Sequence, residues 1–487
     1  MKNLPFNFLL ITASALTFGC AHVGEDYQPP DTSDMVPATF SHPATGDNRE
    51  GHKSVGNAVS SLWWEQLQNP QLNQAIGVAL EKGWDIQVAR ERLLQSRALR
   101  SQTASLILPQ ASLAGSYVKN RNSENFLMPF TSGGGGGGLI PTEFDQWSLE
   151  APLSWEVDIF GGGRRGMEAA DARLEAAEVS VTATRLVTAA EVADAWYAIT
   201  GLNARIRTLT SNIDYQSRIQ SLVDKQFRNG MVTQLDVQRA ATSVDELRSQ
   251  LPPLEASRVD QLRRLTLLMG IGSGDLDDRI GSWSEFPDVL PFVNVGLPAE
   301  LIRRRPDILK IERELAASNA SIGEAIANFY PRFYLLGQPQ LISSSAVNLF
   351  DSSSFAWQFA PRIEWEIFSS GRNKAILESA RSRNREALIN YGMTVTRAIG
   401  EVESSLALLT AMKSRHDALF SATMAARESV RLSTLRYDAG HSSLMDLLLD
   451  MSNQSRIESD LVQAQASTVR AWIRLHQALG GGFNPDP

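Results

Sequence analysis

The sequence predicts a mainly helical protein that also carries membrane-crossing β-strands, with the whole layout occurring twice along the chain. Three observations lead there. Blocks of sequence recur in the same order in both halves. Two proline-free runs are long enough for helices of roughly 100 Å. Two further runs carry apolar residues with a period of two and are rich in Trp and Phe.

The first apolar run is Leu4 to Phe18, after Met1-Lys2-Asn3, and it stops at Gly19-Cys20. It reads as a signal peptide over 1–19, excluded from the fold. Cys20 is the chain's single cysteine and stands where a bacterial lipoprotein is cleaved and acylated. It is the expected lipidation site, and Ala21 after it resembles an outer-membrane address. No later stretch holds the ~18 uninterrupted apolar residues of a membrane helix.

The repeat is the strongest constraint. Trp84-Asp85-Ile86 recurs as Pro306-Asp307-Ile308, and at the same offset Leu108-Pro109 recurs as Tyr330-Pro331. Trp155-Glu156-Val157-Asp158-Ile159-Phe160 matches Trp365-Glu366-Ile367-Phe368, and Gly163-Arg164 matches Gly371-Arg372. Gln226-Phe227-Arg228-Asn229-Gly230 matches Arg436-Tyr437-Asp438-Ala439-Gly440. The reading is a lipidated extended segment at 20–70, a first repeat at 71–268, an equatorial connector at 269–297, a second repeat at 298–479 and a tail at 480–487. Each repeat is a helix, a β-hairpin (110–157 or 332–367), a very long helix and a return helix.

The long helices are expected at 164–229 and 372–436, the return arms at 232–268 and 443–479. Pro252-Pro253 is expected to kink or break the first return arm. Helices over 71–106 and 298–328 would lead into the strands and fill the space beside the shorter arms. Side-by-side packing needs small residues, which Ala169, Ala172, Ala176, Ala183, Ala190 and Ala193 supply.

In 147–157, Trp147, Leu149, Ala151, Leu153, Trp155 and Val157 share one face. In 355–367, Phe355, Trp357, Phe359, Ile363, Trp365 and Ile367 do the same. Each run is close to the length of a tilted membrane strand. Strands 110–120 and 332–342 are their hairpin partners. The connecting loops are Arg121–Phe144, with Gly133 to Gly138 inside it, and the serine-rich Ser343–Ser354. Four strands cannot close a membrane barrel, and an open edge does not persist in lipid. Several chains must therefore contribute strands. Eight strands leave an interior filled by side chains, so a pore needs at least three chains.

Composition excludes other classes. The net charge is −8 and the longest basic run is Arg303-Arg304-Arg305, so no nucleic-acid partner is expected. One cysteine and six scattered histidines offer no metal-ligand spacing, and no metal or other cofactor is expected. Gly161-Gly162-Gly163-Arg164-Arg165-Gly166 has the form of a dinucleotide loop, but the helix after it is far too long for that fold. No catalytic set can be nominated, and the protein is not expected to be an enzyme.

The residues also carry a resemblance. Cys20-Ala21-His22-Val23-Gly24-Glu25-Asp26-Tyr27-Gln28-Pro29-Pro30, Leu62-Trp63-Trp64, Asn69-Pro70-Gln71-Leu72, Leu251-Pro252-Pro253-Leu254-Glu255, Arg304-Arg305-Pro306-Asp307-Ile308 and Arg436-Tyr437 with Gly440 together resemble the outer-membrane factors of tripartite efflux pumps, lipoprotein branch, the TolC/OprM-like family. Glu25 departs from the family's usual proline. The resemblance implies a homotrimer with a twelve-stranded β-barrel, four strands per chain, continuous with a periplasmic α-helical barrel. It implies three kinds of contact: a periplasmic adaptor, an inner-membrane transporter and outer-membrane lipid.

The turns at Asn229-Gly230 and Ala439-Gly440 end the longest helices, so they are expected at the tip farthest from the membrane. Glycine there permits the left-handed residue that closes a helix. Arg228, Arg436 and Tyr437 precede it, where cations favour a helix C-terminus. The resemblance adds adaptor contact by Arg228, Gly230, Arg436, Tyr437 and Gly440. A gate is expected just beyond, with Asp446 and Asp450 on one helical face, Asp236 equivalent to Asp446, and Leu444, Met445 or Leu448 as an apolar constriction. The alternative for these aspartates is plain helix capping. The expected function is a passive exit duct, and the alternative is an envelope-spanning coiled-coil rod that conducts nothing.

Overall fold

A computed structural model describes residues 23–32, 35–41, 62–121, 123, 143–272, 285–287, 289–293 and 295–481. The signal peptide, Cys20 and the hexaglycine lie outside them.

The elements, in chain order, are α1 (Pro70–Lys82), α2 (Trp84–Leu106), β1 (Gln110–Ala111), β2 (Ala114–Arg121), β3 (Glu143–Glu150), β4 (Leu153–Val157), α3 (Gly162–Arg228), α4 (Gln234–Met269), α5 (Pro298–Arg304), α6 (Pro306–Ala327), β5 (Arg332–Ser343), β6 (Phe355–Glu364), α7 (Arg372–Asp438) and α8 (Leu444–Ala478). Both long helices have 67 residues, roughly 100 Å at the ordinary rise.

Three helix expectations need correcting. The stretch 71–106 is two helices, because Gly83 leaves helical backbone at ψ 133°. The stretch 298–328 is also two, because Arg305 precedes Pro306 and is driven to ψ 120°. Conversely, Pro252 and Pro253 sit inside α4 without ending it. The proline rings remove two backbone donors, but strong signals define both helix ends. Thr233 and Asp236 form a capping box at the start, and Gly270 closes the end in the left-handed region.

The chain divides into two units by packing. One gathers residues 1–29, 95–174 and 313–388, the other 30–94, 175–312 and 389–487.

The first unit holds the sheet, which is antiparallel throughout. β1 and β2 pair with β4 and β3, β4 and β3 with β5, and β5 with β6. The expected strands 110–120 and 147–157 each appear as two segments, interrupted near Pro152. The register is carried across the interruption, and the Ala151 N–H still donates to Pro339 O at 2.9 Å. The apolar stripe of β6 is exposed, with Phe355 at 58%, Trp357 at 70%, Phe359 at 62% and Ile363 at 66%. Bare aromatic surface of that extent is a face for lipid or for another chain. β6 ends at Glu364 rather than running to 367. Trp365 instead donates its indole N–H to Phe329 O at 3.0 Å. Trp155 donates likewise to Ile107 O at 3.0 Å. Both bonds staple the end of a strand to the segment preceding its hairpin.

The second unit has an apolar core around Trp63, Leu72, Ile76, Trp196, Tyr197, Leu265, Met269 and Trp472. Of the six alanines expected to let helices approach, Ala169, Ala172, Ala176, Ala190 and Ala193 are buried and Ala183 is half-buried. His476 lies in this core between Trp472 and Trp63, with ring centroids 3.8 and 5.5 Å away. Arg305 is also buried. It holds Asp307 through two bonds of 3.0 and 2.7 Å, Glu401 at 2.7 Å and the Ala478 carbonyl at 2.9 Å.

Candidate functional site

The candidate residues of the second unit cluster at two helix-to-helix turns of like construction. In the first, the Gly230 N–H donates to Phe227 O and the Met231 N–H to Gln226 O, both at 2.9 Å. In the second, the Gly440 N–H donates to Tyr437 O at 2.9 Å and the His441 N–H to Arg436 O at 2.8 Å. Both glycines have φ +71°, the left-handed closure expected from sequence.

The next helix starts at once. The Asp446 carboxylate accepts from the Ser443 N–H at 3.1 Å and hydroxyl at 2.8 Å, and its own N–H donates to Ser443 Oγ at 3.2 Å. Asp236 does the same with Thr233. Each is a complete capping box. The hydroxyl first and the backbone N–H second hold both carboxyls below their ordinary value. The capping alternative therefore accounts for the position of both aspartates. Asp450, one helical turn on, is hydrogen-bonded by the Ser433 hydroxyl of α7.

Leu444 requires a correction. It is 6% exposed and packs with Val223, Ala240 and Leu448 inside the chain. Leu448 is 7% exposed in the same cluster, and a leucine held in the core cannot also line an opening. Met445 is the exposed apolar candidate of that turn, at 39%.

Arg228 and Arg436 are exposed. Arg228 Nε reaches back to Asp224 O at 3.4 Å, as a cation in a last helical turn does. Tyr437 is half-buried, and its hydroxyl donates to Gln226 Oε1 at 2.9 Å, tying the two turns together. Gln226 and Ser433 were missed by sequence reasoning, since nothing local marks them. The capping boxes were readable as Thr233-Gln234-Leu235-Asp236 and Ser443-Leu444-Met445-Asp446.

The turns are a surface, and among the described residues no group of His, Cys, Asp and Glu could hold a metal ion there. What they can do is present a fixed shape to another protein.

The profile of the outer membrane efflux protein family matches residues 75–271 and 297–481. The chain belongs to that family. Among relatives, it is 30% identical over 476 residues to Nodulation protein T of Rhizobium leguminosarum bv. trifolii, covering 97% of this chain and 96% of that protein. It is 28% identical over 481 residues to the toluene efflux pump outer membrane protein TtgC of Pseudomonas putida, covering 98% and 96%. Among solved structures it is similar to the outer-membrane channel OprN, with TM-score 0.83, 28% identity and coverage of 95% and 99%. This efflux protein is thus an outer-membrane channel that serves as an exit duct.

In the efflux protein, Gly440→Val tests the turn. A β-branched residue at φ +71° costs on the order of 1–3 kcal/mol, enough to distort the closure. Drug efflux from cells should fall several-fold while assembly, read on a native gel, is unchanged. Full efflux would show that the turn's shape is not used.

Proposed function

We propose that the chain is one of three identical subunits of a passive duct in an efflux pump. The observation that carries this reading is the pair of open sheet edges. Among the described residues β2 bonds only β3, and β6 bonds only β5. Open edges do not persist in lipid, so β2 of one copy pairs with β6 of the next. Three copies close a twelve-stranded barrel wide enough to conduct. Each subunit uses its plan twice, at 71–268 and 298–479, and the long helices of three copies continue the duct into the periplasm.

A duct of this kind does no work of its own. An inner-membrane transporter supplies the energy, and a periplasmic adaptor docks on the turns through Arg228, Gly230, Arg436, Tyr437 and Gly440. The name of TtgC as part of an efflux pump supports these partners. Outer-membrane lipid surrounds the β6 stripe. Cys20 carries the lipid anchor, so Cys20→Ala should abolish incorporation of labelled palmitate. Equal labelling of the variant would remove the anchor from this account.

The resting gate lies beside the turns, at Met445 with the carboxylates of Asp446 and Asp450, and with Asp236 in the corresponding place of the first repeat. Planar-bilayer recording tests duct and gate together. The wild-type protein should conduct, and a protein that never conducts is a rod. Asp446→Ala with Asp450→Ala should raise the resting conductance and admit large antibiotics to cells. If both aspartates serve only capping and the Ser433 contact, the double variant conducts as the wild type does and only its thermal stability falls.

A further inference from the structure

Residues 23–27 lie in a seat built by α3 and α6. The Val23 N–H donates to Phe160 O at 3.2 Å. Arg165, 3% exposed, donates to Val23 O at 3.0 Å, Gly24 O at 2.9 Å and the Asp26 carboxylate at 2.8 Å. Its fourth bond goes to Glu168 of its own helix at 2.7 Å. From the other side, Asn319 Nδ2 donates to Glu25 O at 3.0 Å. Tyr27 packs between Ala172 of α3 and Ala316 and Ala317 of α6, and Arg313 lies 5.8 Å from its ring centre. Gly24 has φ +89°, and a Cβ there would stand 2.8 Å from the Gly323 Cα.

A buried guanidinium is expensive unless its donors are met. Three of Arg165's four acceptors belong to residues 23–26, and only one belongs to α3. The seat is therefore incomplete without the segment that fills it. It is also two-sided. Arg165 and Ala172 come from the first half of the chain, Asn319, Gly323, Ala316 and Ala317 from the second. Arg173 also reaches across this seam to the Ser321 hydroxyl at 3.3 Å. We propose that residues 23–27 are an intramolecular ligand that clasps α3 to α6, with Arg165 as the positioning residue of the seat. The N-terminal segment then holds the two halves of the chain together where helices meet strands, and does more than lead up to the fold. This does not depend on lipidation or on the gate.

The test uses the full-length protein in detergent. Gly24→Val alters the segment alone. It forces a β-branched residue into the left-handed region and presses it on Gly323. Cleavage after Glu25 by a glutamate-specific protease should then rise about tenfold, as for losing a charge-assisted hydrogen bond. Hydrogen exchange at 165–174 and 313–323 should rise several-fold, with 444–478 unchanged. Arg165→Met keeps the apolar stem, removes the donors and should give the same pattern. Arg165→Lys should not restore protection, since a compact ammonium lacks the planar fork whose Nε, Nη1 and Nη2 hold separately placed acceptors. If Gly24→Val frees the segment while both helices keep their protection, the segment is a passenger and the clasp is overturned. If cleavage after Glu25 does not change, the seat does not hold the segment, and the proposal fails. Should Arg165→Met fail to fold, Gly24→Val decides alone.

Discussion

Arg305→Ala is expected to destabilise the chain by about 3 kcal/mol, the lower end for breaking a buried ion pair. The lower end applies because Asp307 and Glu401 are each 46% exposed and can be rehydrated, whereas the guanidinium is only 9% exposed. Arg305 sits at the break between α5 and α6 and reaches α7 through Glu401. It also caps the end of α8 through the Ala478 carbonyl, one of the orphan acceptors of a helix C-terminus. One side chain thus ties four helices. Thermal unfolding followed by circular dichroism should show the midpoint fall by several degrees. Arg305→Lys should recover little, because the two-pronged grip on Asp307 needs a planar fork. An unshifted midpoint for alanine would mean that the helices are held by their apolar core alone.

The second large effect is acid sensitivity centred on His476. Burial between two tryptophans drives the imidazole down to about 4 from 6.5, against the contact with the Trp472 carbonyl, which favours the charged form. The folded chain therefore keeps His476 neutral where the unfolded chain protonates it. Its contribution is fully present above pH 6.5 and is lost as pH falls toward 4. The whole change is about 3 kcal/mol. Stability against urea, measured across that window, should slope upward with pH. His476→Leu should flatten the part of the slope due to this residue. A slope identical in the variant would assign acid sensitivity to the carboxylates.

Much of this was legible in the sequence, for identifiable reasons. The alternation of Trp147, Leu149, Leu153 and Trp155 is a local signal with a period of two, and the strands lie where it puts them. The helix ends after Arg228 and Asp438 were marked by glycines that tolerate positive φ. The break at Arg305 was encoded by Pro306 but passed over, because the apolar pattern continues through it. Pro252 and Pro253 do not break α4, since burial of Val244 and Leu247 before them and of Leu265, Leu268 and Met269 after them holds the helix on both sides. Leu444 was misassigned because a helical face read from one strand of sequence does not reveal the helices beside it. The bonds of Arg165 to residues 23–26, of Tyr437 to Gln226 and of His476 with Trp63 join positions far apart in the chain. A single sequence carries no signal for such pairs.

The back-to-back construction of each turn, a glycine closure followed by a capping box, has a consequence for the energetics of recognition. Backbone N–H groups that usually fray at helix ends, those of Gly230, Met231, Thr233 and Asp236 and of Gly440, His441, Ser443 and Asp446, are engaged within the turn itself. A protein that meets these turns meets them already ordered. Little conformational entropy then has to be surrendered on contact, so a modest contact area suffices for useful affinity. Substitutions that loosen a turn without removing a contacting side chain should weaken association through that entropy, and lowering the temperature should partly restore it.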